Sequence, residues 1–363
     1  MRAIPHFNAG QNPRRKDWKY LSTDQISTRV EARFFEPGSW DGVSCRLCPA
    51  LCSIAPSRSG ACGVRTNRGG KLYVDLYGKT ASREILSADE LPLFHYKPDL
   101  SWLRVGGKGC TMRCPFCNTY KFSQSGAVRT AAASVDVLVM QAIEGGARGI
   151  SFGVSEPAPM HEFIFDVFTA ARAAGLETHI ATSGMWSTAA LRELAPLVTA
   201  ATIGLKGFDN DFYQRIVGGD LPTVIGNIDL LMTIGVHLEI SWVVIPGRTD
   251  HPSQPQLLFD VLDKHDSKPT ILLLPYEPDF AWKSESHAAT EPEMLAFRGA
   301  FSSYAGWVYD LHPLGSGMNT RCKGCSRTLV RRGVARQVTT TDAATGKRSK
   351  TCACGLAAPY VVE

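Results

Sequence analysis

The stretch Gly106–Tyr120, GGKGCTMRCPFCNTY, places three cysteines on one short loop that emerges from an apolar, strand-like run, Leu103–Lys108. Cys110, Cys114 and Cys117 have CxxxCxxC spacing. Thiolates hold 4Fe–4S clusters, usually through four cysteines, so three of them leave one iron open to bind another group. A zinc ion needs four ligands, and this loop supplies three. The loop therefore predicts a 4Fe–4S cluster at the end of a strand.

Outward from this loop, strand-like runs alternate with helical stretches up to residue 312. Ser187 is placed to cap one of these helices, and Gly175 to end another. The six strand candidates are Leu103–Lys108, Gly149–Val154, Glu177–Thr182, Ala200–Lys206, His237–Ile245 and Thr270–Pro275. This alternation predicts an α/β fold with a parallel sheet. Six units are fewer than the eight of a closed barrel, so we predict a partial (β/α)6 TIM-type barrel with its functional end at the carboxyl edge of the strands.

The cysteine loop resembles the signature of the radical S-adenosylmethionine (radical SAM) superfamily, in which the open iron chelates the methionine part of the cofactor. Gly153–Pro157, GVSEP, is similar to the superfamily's GGEP-type motif, which binds the methionine amino group. Val243 lies in a stretch similar to an apolar element beside the adenine, although core packing explains it equally well. The resemblance implies these cofactor-binding residues: Phe116 near the adenine, Ser155, Glu156, Thr182, Ser183, Lys206 at the methionine carboxylate, and Val243.

Four more cysteines precede the loop, in the stretch CRLCPALCSIAPSRSGACGVRTNRGGKLYVDLYG that starts at Cys45. From here on, most of the chain resembles the AmmeMemoRadiSam-system radical SAM enzymes, relatives of the pyruvate formate-lyase activating enzyme. Cys45, Cys48, Cys52 and Cys62 would close a metal site completely. Either a structural zinc ion or a second 4Fe–4S cluster that relays electrons would satisfy them. The spacing leaves both open, and we favour a structural role.

The last four cysteines resemble a zinc ribbon with one cysteine pair on each of two tight turns: Cys322, Cys325, Cys352 and Cys354. The family usually ends in CxxC, whereas this chain has CxC, which puts tetrahedral closure in question. Nine Lys or Arg residues and one Asp lie between residues 321 and 350, in a loop that includes Thr339–Thr341. Because no aromatic residues interleave with them, we expect a solvated basic face and no nucleic-acid partner.

Composition limits what else the protein can be. The chain has 363 residues, a formal charge of +5 and 44% hydrophobic residues, enough for a substantial core. All eleven cysteines fall into the three groups above, which favours metal ligation over disulfides. Without a membrane-length apolar run or a signal peptide, we expect a cytoplasmic protein with no membrane partner. We predict three parts: an N-terminal segment at 1–98, the barrel at 99–312 and a zinc-ribbon-like module at 313–363.

Together these features predict a radical SAM enzyme that uses a 4Fe–4S cluster and S-adenosylmethionine, with zinc or a second iron–sulfur cluster in the four-cysteine sites. The resemblance implies reductive cleavage of the cofactor and a 5′-deoxyadenosyl radical that acts on the substrate. An electron donor such as flavodoxin or ferredoxin would supply the electron. Departures from the activating-enzyme pattern favour a small-molecule substrate over a protein: Ala181, Gly204, Ser241 and Glu277. Candidate pocket residues are Tyr276, Glu277, Trp242 and His312.

Two other functions compete with this interpretation. The same departures remove charges around the methionine end, which would suit a transferase that moves a 3-amino-3-carboxypropyl group to a thiophilic acceptor such as arsenite. The terminal thiols could hold that acceptor. A non-enzymatic iron–sulfur carrier or metal-binding interaction module is the other alternative, although a pure carrier has no need of an open iron.

Overall fold

The computed structural model of the chain describes residues 30–313, 318–332 and 350–361. Residues 1–29 of the predicted N-terminal segment and residues 333–349 of the predicted basic stretch, with Thr339–Thr341, lie outside the described residues. Within the described ranges, no helix is both long enough and apolar enough to cross a membrane.

An eight-stranded sheet forms the centre of the described structure. The six predicted strands are all present, with ends that differ from the prediction by at most two residues. Two further strands complete the edges, one antiparallel at the start and one parallel at the end. In chain order, which is also the order in the sheet, the strands are β1 (Ser82–Ser87), β2 (Ser101–Gly106), β3 (Gly149–Gly153), β4 (Glu177–Thr182), β5 (Ala200–Leu205), β6 (His237–Val244), β7 (Thr270–Pro275) and β8 (Val308–Asp310).

Helices follow the parallel strands and pack against the sheet. The helix after β3 buries Ile164, Val167 and Phe168. The Ser187 hydroxyl accepts a hydrogen bond from the Ala190 N–H at 3.3 Å, so the predicted cap is present. The helices are α1 (Tyr120–Ser123), α2 (Val135–Glu144), α3 (His161–Ala173), α4 (Thr188–Leu194), α5 (Asn210–Phe212), α6 (Leu221–Ile234), α7 (Gln254–Leu262) and α8 (Glu291–Gly299).

The alternation of side chains along each strand separates an inner face from a helix-covered face. On β6, Trp242 packs against Phe297 and Phe301 on the helix side, whereas its neighbour Ser241 lines a cavity on the opposite side. Because β2 to β8 are all parallel, their carboxyl ends meet at one edge of the sheet. The polar residues that follow these strands are therefore brought together.

Small antiparallel sheets, built mainly from residues before β1, pack against the main sheet and α3. Val43, Leu47 and Leu72 share one buried core with residues of α3 and the main sheet. Residues 82–87 form β1 of the main sheet, while the predicted boundary at residue 98 stays a prediction. The small strands are Val30–Glu31, Lys71–Val74 and Arg65–Arg68 in one sheet, Phe35–Pro37, Val43–Cys45 and Ser53–Ile54 in a second, and the pair Lys79–Thr80 and Ala131–Ala132.

The described C-terminal residues form a small module that docks beside the segment before β2. Its strands Thr320–Arg321 and Thr328–Val330 pair antiparallel. The Arg332 guanidinium donates to the carbonyl oxygen of Phe94 at 2.8 Å and lies 4.2 Å from the centre of that ring. This buried cation therefore ties the module to the body of the protein.

Candidate active site

A cavity of about 340 Å³ lies at the carboxyl edge of the parallel strands and extends into the sheet's inner face. Its volume is near the lower end of the range for small-molecule sites, roughly 300–1,000 Å³. Most of the predicted cofactor-site residues line it: Cys110, Cys114, Cys117, Ser155, Glu156, Thr182, Ser183 and Lys206.

The cysteine loop leaves the end of β2 and is held by local hydrogen bonds. The Gly109 N–H donates to the carbonyl oxygen of Phe122 at 2.9 Å, which closes the loop. Gly109 has a φ of +87°, a conformation that favours glycine. The Cys117 Sγ lies 3.2 Å from the Ser123 hydroxyl, and the Cys110 Sγ accepts the Met112 N–H at 3.4 Å. The thiols therefore stand in defined positions before any metal binds.

Burial favours the protonated form of two thiols of this loop, Cys110 and Cys114. It raises the pKa of Cys114 to about 11, against the opposing charge of Lys206. Burial also raises the pKa of Cys110, and the nearby Glu156 carboxylate adds to the rise. Since metals bind the thiolate form, iron loading at this loop releases protons.

One polar atom in the cavity wall lacks a partner. The Ser155 hydroxyl is buried and, among the described residues, has no hydrogen-bond partner. A buried hydroxyl normally finds one, so this atom indicates a polar ligand. Three thiols together with an unpaired hydroxyl in the same cavity fit a 4Fe–4S cluster that carries an amino-acid-like ligand.

Glu156 is the centre of a buried hydrogen-bond network. One carboxylate oxygen accepts the Thr182 hydroxyl at 2.5 Å and the Ala158 N–H at 3.3 Å. The other oxygen accepts the N–H and the hydroxyl of Ser183 at 2.8 and 2.6 Å. These four donors match the lone-pair sites of a carboxylate. Glu156 thus joins the ends of β3 and β4 rigidly.

The chain reaches Glu156 through an unusual turn. The Ser155 N–H donates to the Gly153 carbonyl oxygen at 2.9 Å, which closes a γ-turn centred on Val154. Val154 has a φ of +70°, a rare conformation for a β-branched residue. Such strain is concentrated at functional sites, where the surrounding structure maintains it.

Lys206 points into space that small residues leave open. A Cβ on Gly204 would lie 3.0 Å from the Lys206 Nζ and 3.6 Å from the Ser241 hydroxyl. Ala181, Gly204 and Ser241 all line the cavity. Gly204 and Ser241, two of the positions that depart from the activating-enzyme pattern, therefore border the space that holds the lysine ammonium.

Several predicted residues lie elsewhere. Phe116 is buried beside Phe212 and Trp282, with ring centres 6.1 and 5.5 Å away, and does not line the cavity. Val243 is half-buried and does not line it either.

The candidate substrate-pocket residues also lie outside the cavity lining. Trp242 packs on the helix side, Tyr276 donates to the Trp282 carbonyl oxygen at 3.1 Å, and Glu277 is exposed. The fourth, His312, is also absent from the cavity lining.

Other cavity residues escaped the sequence analysis. Asn118 and Thr119 directly follow the last cysteine of the loop, and Ser151 and Thr202 lie on the inner face of their strands. Ser151 is two residues before Gly153, and Thr202 is two before Gly204, so the two-residue period of a strand is the signal that could have identified them.

Cys45 ends a strand of the small N-terminal sheets, and Cys48, Cys52 and Cys62 lie on the connections between their strands. Cys45 and Cys48 are buried, and Cys52 and Cys62 are half-buried. Burial, with repulsion from the other three thiolates, raises the pKa of Cys48 to about 12. The Cys52 Sγ accepts the Ala61 N–H at 3.4 Å, which draws the two halves of the motif together.

The four C-terminal cysteines converge tightly. Their Sγ atoms all lie within 4.8 Å of one another, although the last pair is CxC. The Cys322 and Cys354 sulfurs are 3.4 Å apart, and those of Cys325 and Cys352 are 3.5 Å apart. The N–H groups of Cys325 and Gly324 donate to the Cys322 sulfur and lower its pKa to about 6. This set can hold one metal ion.

Comparison with known proteins agrees with this geometry. Residues 105–253 match the model of the Radical SAM superfamily. An uncharacterized protein of Methanocaldococcus jannaschii is 28% identical over 329 residues, which cover 89% of this chain and 97% of that protein. A pyruvate formate-lyase-activating enzyme of Clostridium pasteurianum is 22% identical over 173 residues, which cover 47% of this chain and 72% of the enzyme. A solved radical SAM methyltransferase from Sphaerobacter thermophilus has a TM-score of 0.48 at 18% identity, over 61% of this chain and 68% of that one.

The matched segment contains the cysteine loop, Glu156 and Lys206, and ends beyond β6. It therefore includes the residues that follow five of the parallel strands at the cavity edge. The superfamily implies a 4Fe–4S cluster and S-adenosylmethionine as cofactors. The chain therefore has a parallel-sheet α/β fold in which residues 105–253 match the Radical SAM superfamily, and its similarity to activating enzymes supports an enzyme.

Proposed function

We propose that Cys110, Cys114 and Cys117 hold a 4Fe–4S cluster whose open iron binds S-adenosylmethionine, and that the enzyme cleaves this cofactor to act on a small molecule. The proposal depends on one observation: these thiols, Glu156 and Lys206 line the same cavity at the strand ends. When bound and reduced, the cluster would supply one electron to the sulfonium, whose cleavage yields methionine and a 5′-deoxyadenosyl radical.

The chain's own residues would orient the cofactor. The unpaired Ser155 hydroxyl would bind the methionine amino group, and the Glu156 carboxylate nearby would favour its positive charge. The Lys206 ammonium would pair with the methionine carboxylate. Phe116 and Val243 are outside the cavity lining, so contacts of either residue with the adenine would require a shift of the adjoining loops.

The cavity favours a small substrate. Its volume of about 340 Å³ has to accommodate the cofactor as well, which leaves little room for a protein segment without opening. Thr202, Ser151 and Arg104 also line it, and their side chains already hydrogen-bond to Pro92, His179 and Glu84, respectively. A flavodoxin or ferredoxin would act as the electron donor.

Product analysis tests the reaction. The full chain, reconstituted anaerobically with iron and sulfide, should convert S-adenosylmethionine to 5′-deoxyadenosine and methionine when dithionite is added. Mass spectrometry of the products is the measurement, and the Cys110→Ala/Cys114→Ala/Cys117→Ala variant is the control, which should form neither. The appearance of 5′-methylthioadenosine with an aminocarboxypropyl product would contradict the proposal and support the transferase.

We propose further that the parallel strands and helices form an open (β/α)6 barrel and that the C-terminal module is a zinc ribbon. The close thiols of that module, all within 4.8 Å of one another, support zinc. The boundaries at residues 98 and 312 are part of the same proposal.

Loss of the C-terminal site should affect stability more than chemistry. In Cys322→Ser/Cys325→Ser we expect about one zinc ion per chain to be lost and the thermal unfolding temperature to fall, because a closed site contributes its binding energy to folding. Zinc analysis and calorimetry provide the measurements. If the double variant unfolded at the wild-type temperature but lost all substrate turnover while still cleaving S-adenosylmethionine, the module would belong to the active site.

A further inference from the structure

We propose that Cys45, Cys48, Cys52 and Cys62 bind a second 4Fe–4S cluster, not zinc, and that this cluster passes electrons to the one at the Cys110 loop. The inference builds on the function proposed above, because the second cluster delivers its electron to the first. It replaces the structural role that we favour from the sequence, whose cysteine spacing leaves both kinds of site open.

The distances between thiols distinguish a site for a single zinc ion from a site for a 4Fe–4S cluster. Ligands 2.3 Å from a tetrahedral zinc ion stand about 3.8 Å from one another. The C-terminal thiols, all within 4.8 Å of one another, meet this requirement. Across the part of the chain that the structure describes, no other group of three or more metal-ligating side chains is as close together. The N-terminal thiols are therefore too widely spaced for a single ion.

The Cys110 loop serves as an internal comparison. Its three thiols also fall outside the spacing of a single ion, and they are the ones for which the superfamily implies a 4Fe–4S cluster. In such a cluster each thiolate binds a different iron, so its ligands stand farther apart than those of one ion. The N-terminal set likewise falls outside the spacing of a single ion, and its four thiols would leave no iron open. A closed cluster of this kind can transfer electrons but cannot bind S-adenosylmethionine.

The two cysteine loops are in direct contact. A Cβ on Gly109, the residue before Cys110, would collide with the carbonyl oxygen of Cys62. The Arg113 guanidinium donates both to the Cys110 carbonyl oxygen, at 3.0 Å, and to the Ala61 carbonyl oxygen. One side chain thus bridges Ala61, the residue before the last cysteine of the N-terminal motif, and Cys110, the first cysteine of the radical SAM loop. Clusters bound at the two loops would therefore lie side by side.

The N-terminal site is also fixed in place and reaches the surface. The Ser187 N–H donates to the Leu47 carbonyl oxygen at 2.7 Å, and the buried Arg65 of the same module pairs with Glu162 of α3. Arg65 places a positive charge near Cys45 and Cys62, which offsets the negative charge of a thiolate-bound cluster. Cys52 is half-buried and its neighbour Leu51 is 54% exposed, so a donor protein can approach this end.

The transfer is balanced in electrons and moves no atoms. A one-electron donor of the flavodoxin or ferredoxin class is oxidised as the N-terminal cluster is reduced by one electron. The same electron then reduces the cluster at the Cys110 loop, and the N-terminal cluster returns to its oxidised state. Each cleavage of S-adenosylmethionine therefore uses one electron that enters through the N-terminal site.

Metal analysis of the full chain tests the site. Anaerobically reconstituted wild type should contain roughly eight irons, whereas Cys110→Ala/Cys114→Ala/Cys117→Ala should retain roughly four, with about one zinc ion in each protein. The electron paramagnetic resonance (EPR) signal that remains in the triple variant should not change when S-adenosylmethionine is added. A triple variant with no iron and about two zinc ions would overturn the proposal. A triple variant with wild-type iron would instead contradict the assignment of the radical SAM cluster.

A second variant tests the relay. Cys48→Ala/Cys52→Ala should retain the EPR signal that responds to S-adenosylmethionine, which also shows that the barrel is folded. Its reduction by reduced flavodoxin should be severalfold slower than in wild type, while reduction by dithionite stays unchanged. Equal rates with flavodoxin in the two proteins would contradict the relay. If this variant fails to fold, the same rates are measured in Cys62→Ser, which keeps three of the four ligands.

Discussion

Replacing Arg65 by methionine is expected to lower the free energy of unfolding by about 3–5 kcal/mol, because it leaves the Glu162 carboxylate buried without its counter-ion. The side chains of both residues are almost inaccessible, at 1% and 3% exposure. The guanidinium contacts both carboxylate oxygens, at 2.8 and 3.2 Å. Removing one partner of such a buried pair costs far more than replacing both partners by apolar residues, because the remaining charge cannot reach water.

The Arg65–Glu162 pair also links the small N-terminal sheets to α3. Arg65 lies on a strand of the module, whereas Glu162 is in the first turn of α3, where the helix dipole favours a negative charge. Arg65 also donates to the carbonyl oxygen of Arg33 at 2.6 Å, and Glu162 accepts the Arg33 N–H at 2.6 Å. Loss of Arg65 should therefore loosen the module that carries the N-terminal cysteines.

A matched control is available on the same strand. Arg68 pairs with Asp75 at 2.8 Å, the same distance, but the two side chains are 43% and 32% exposed. Arg68→Met should cost only about 0.2–1 kcal/mol, as exposed pairs do. Urea denaturation of both variants under anaerobic conditions provides the comparison. The double variant Arg65→Met/Glu162→Leu should recover part of the loss, and equal costs for Arg65→Met and Arg68→Met would refute the argument.

The sequence predicted the frame of this protein well, for a physical reason. The strand Thr270–Pro275, TILLLP, is a local apolar run, and both of its ends coincide with the prediction. The cysteine loop and Glu156 were found because their motifs are short and contiguous. A parallel sheet then places residues that follow different strands at one edge, so much of the cavity followed from topology alone.

What the sequence could not provide depends on contacts between distant segments. Arg65 and Glu162 are 97 positions apart in the sequence, and no local sequence pattern predicts that they pair. The assignment of Trp242 to the pocket failed because, in β6, the cavity side carries Ser241, and neighbours in a strand face opposite ways. The convergence of the CxC pair with Cys322 and Cys325 likewise depends on the turn geometry of the folded module.

Glu156→Ala is expected to weaken S-adenosylmethionine binding by about 10- to 100-fold, or ~1.4–2.7 kcal/mol, because it removes the negative charge that favours the nearby methionine ammonium group. It should also destabilise the fold, because it leaves the Thr182 hydroxyl and both donors of Ser183 without an acceptor. Each buried donor without a partner costs ~1–3 kcal/mol. Iron content at the Cys110 loop should be unchanged.

Two further substitutions separate the role of charge from that of the network. Glu156→Gln keeps the shape but presents an amide NH₂ to two of the four donors, so the Ser183 N–H still lacks an acceptor and stability should fall. Lys206→Met removes a charge from the same cavity, and the described contacts show no buried group that would lose its partner. It should therefore weaken cofactor binding without lowering the unfolding free energy.

Equilibrium dialysis of the iron-loaded proteins measures cofactor binding, and urea denaturation measures the free energy of unfolding. Unchanged cofactor affinity in both Glu156→Ala and Lys206→Met would mean that S-adenosylmethionine binds elsewhere, because these two side chains are the charged groups nearest the thiols in that cavity wall.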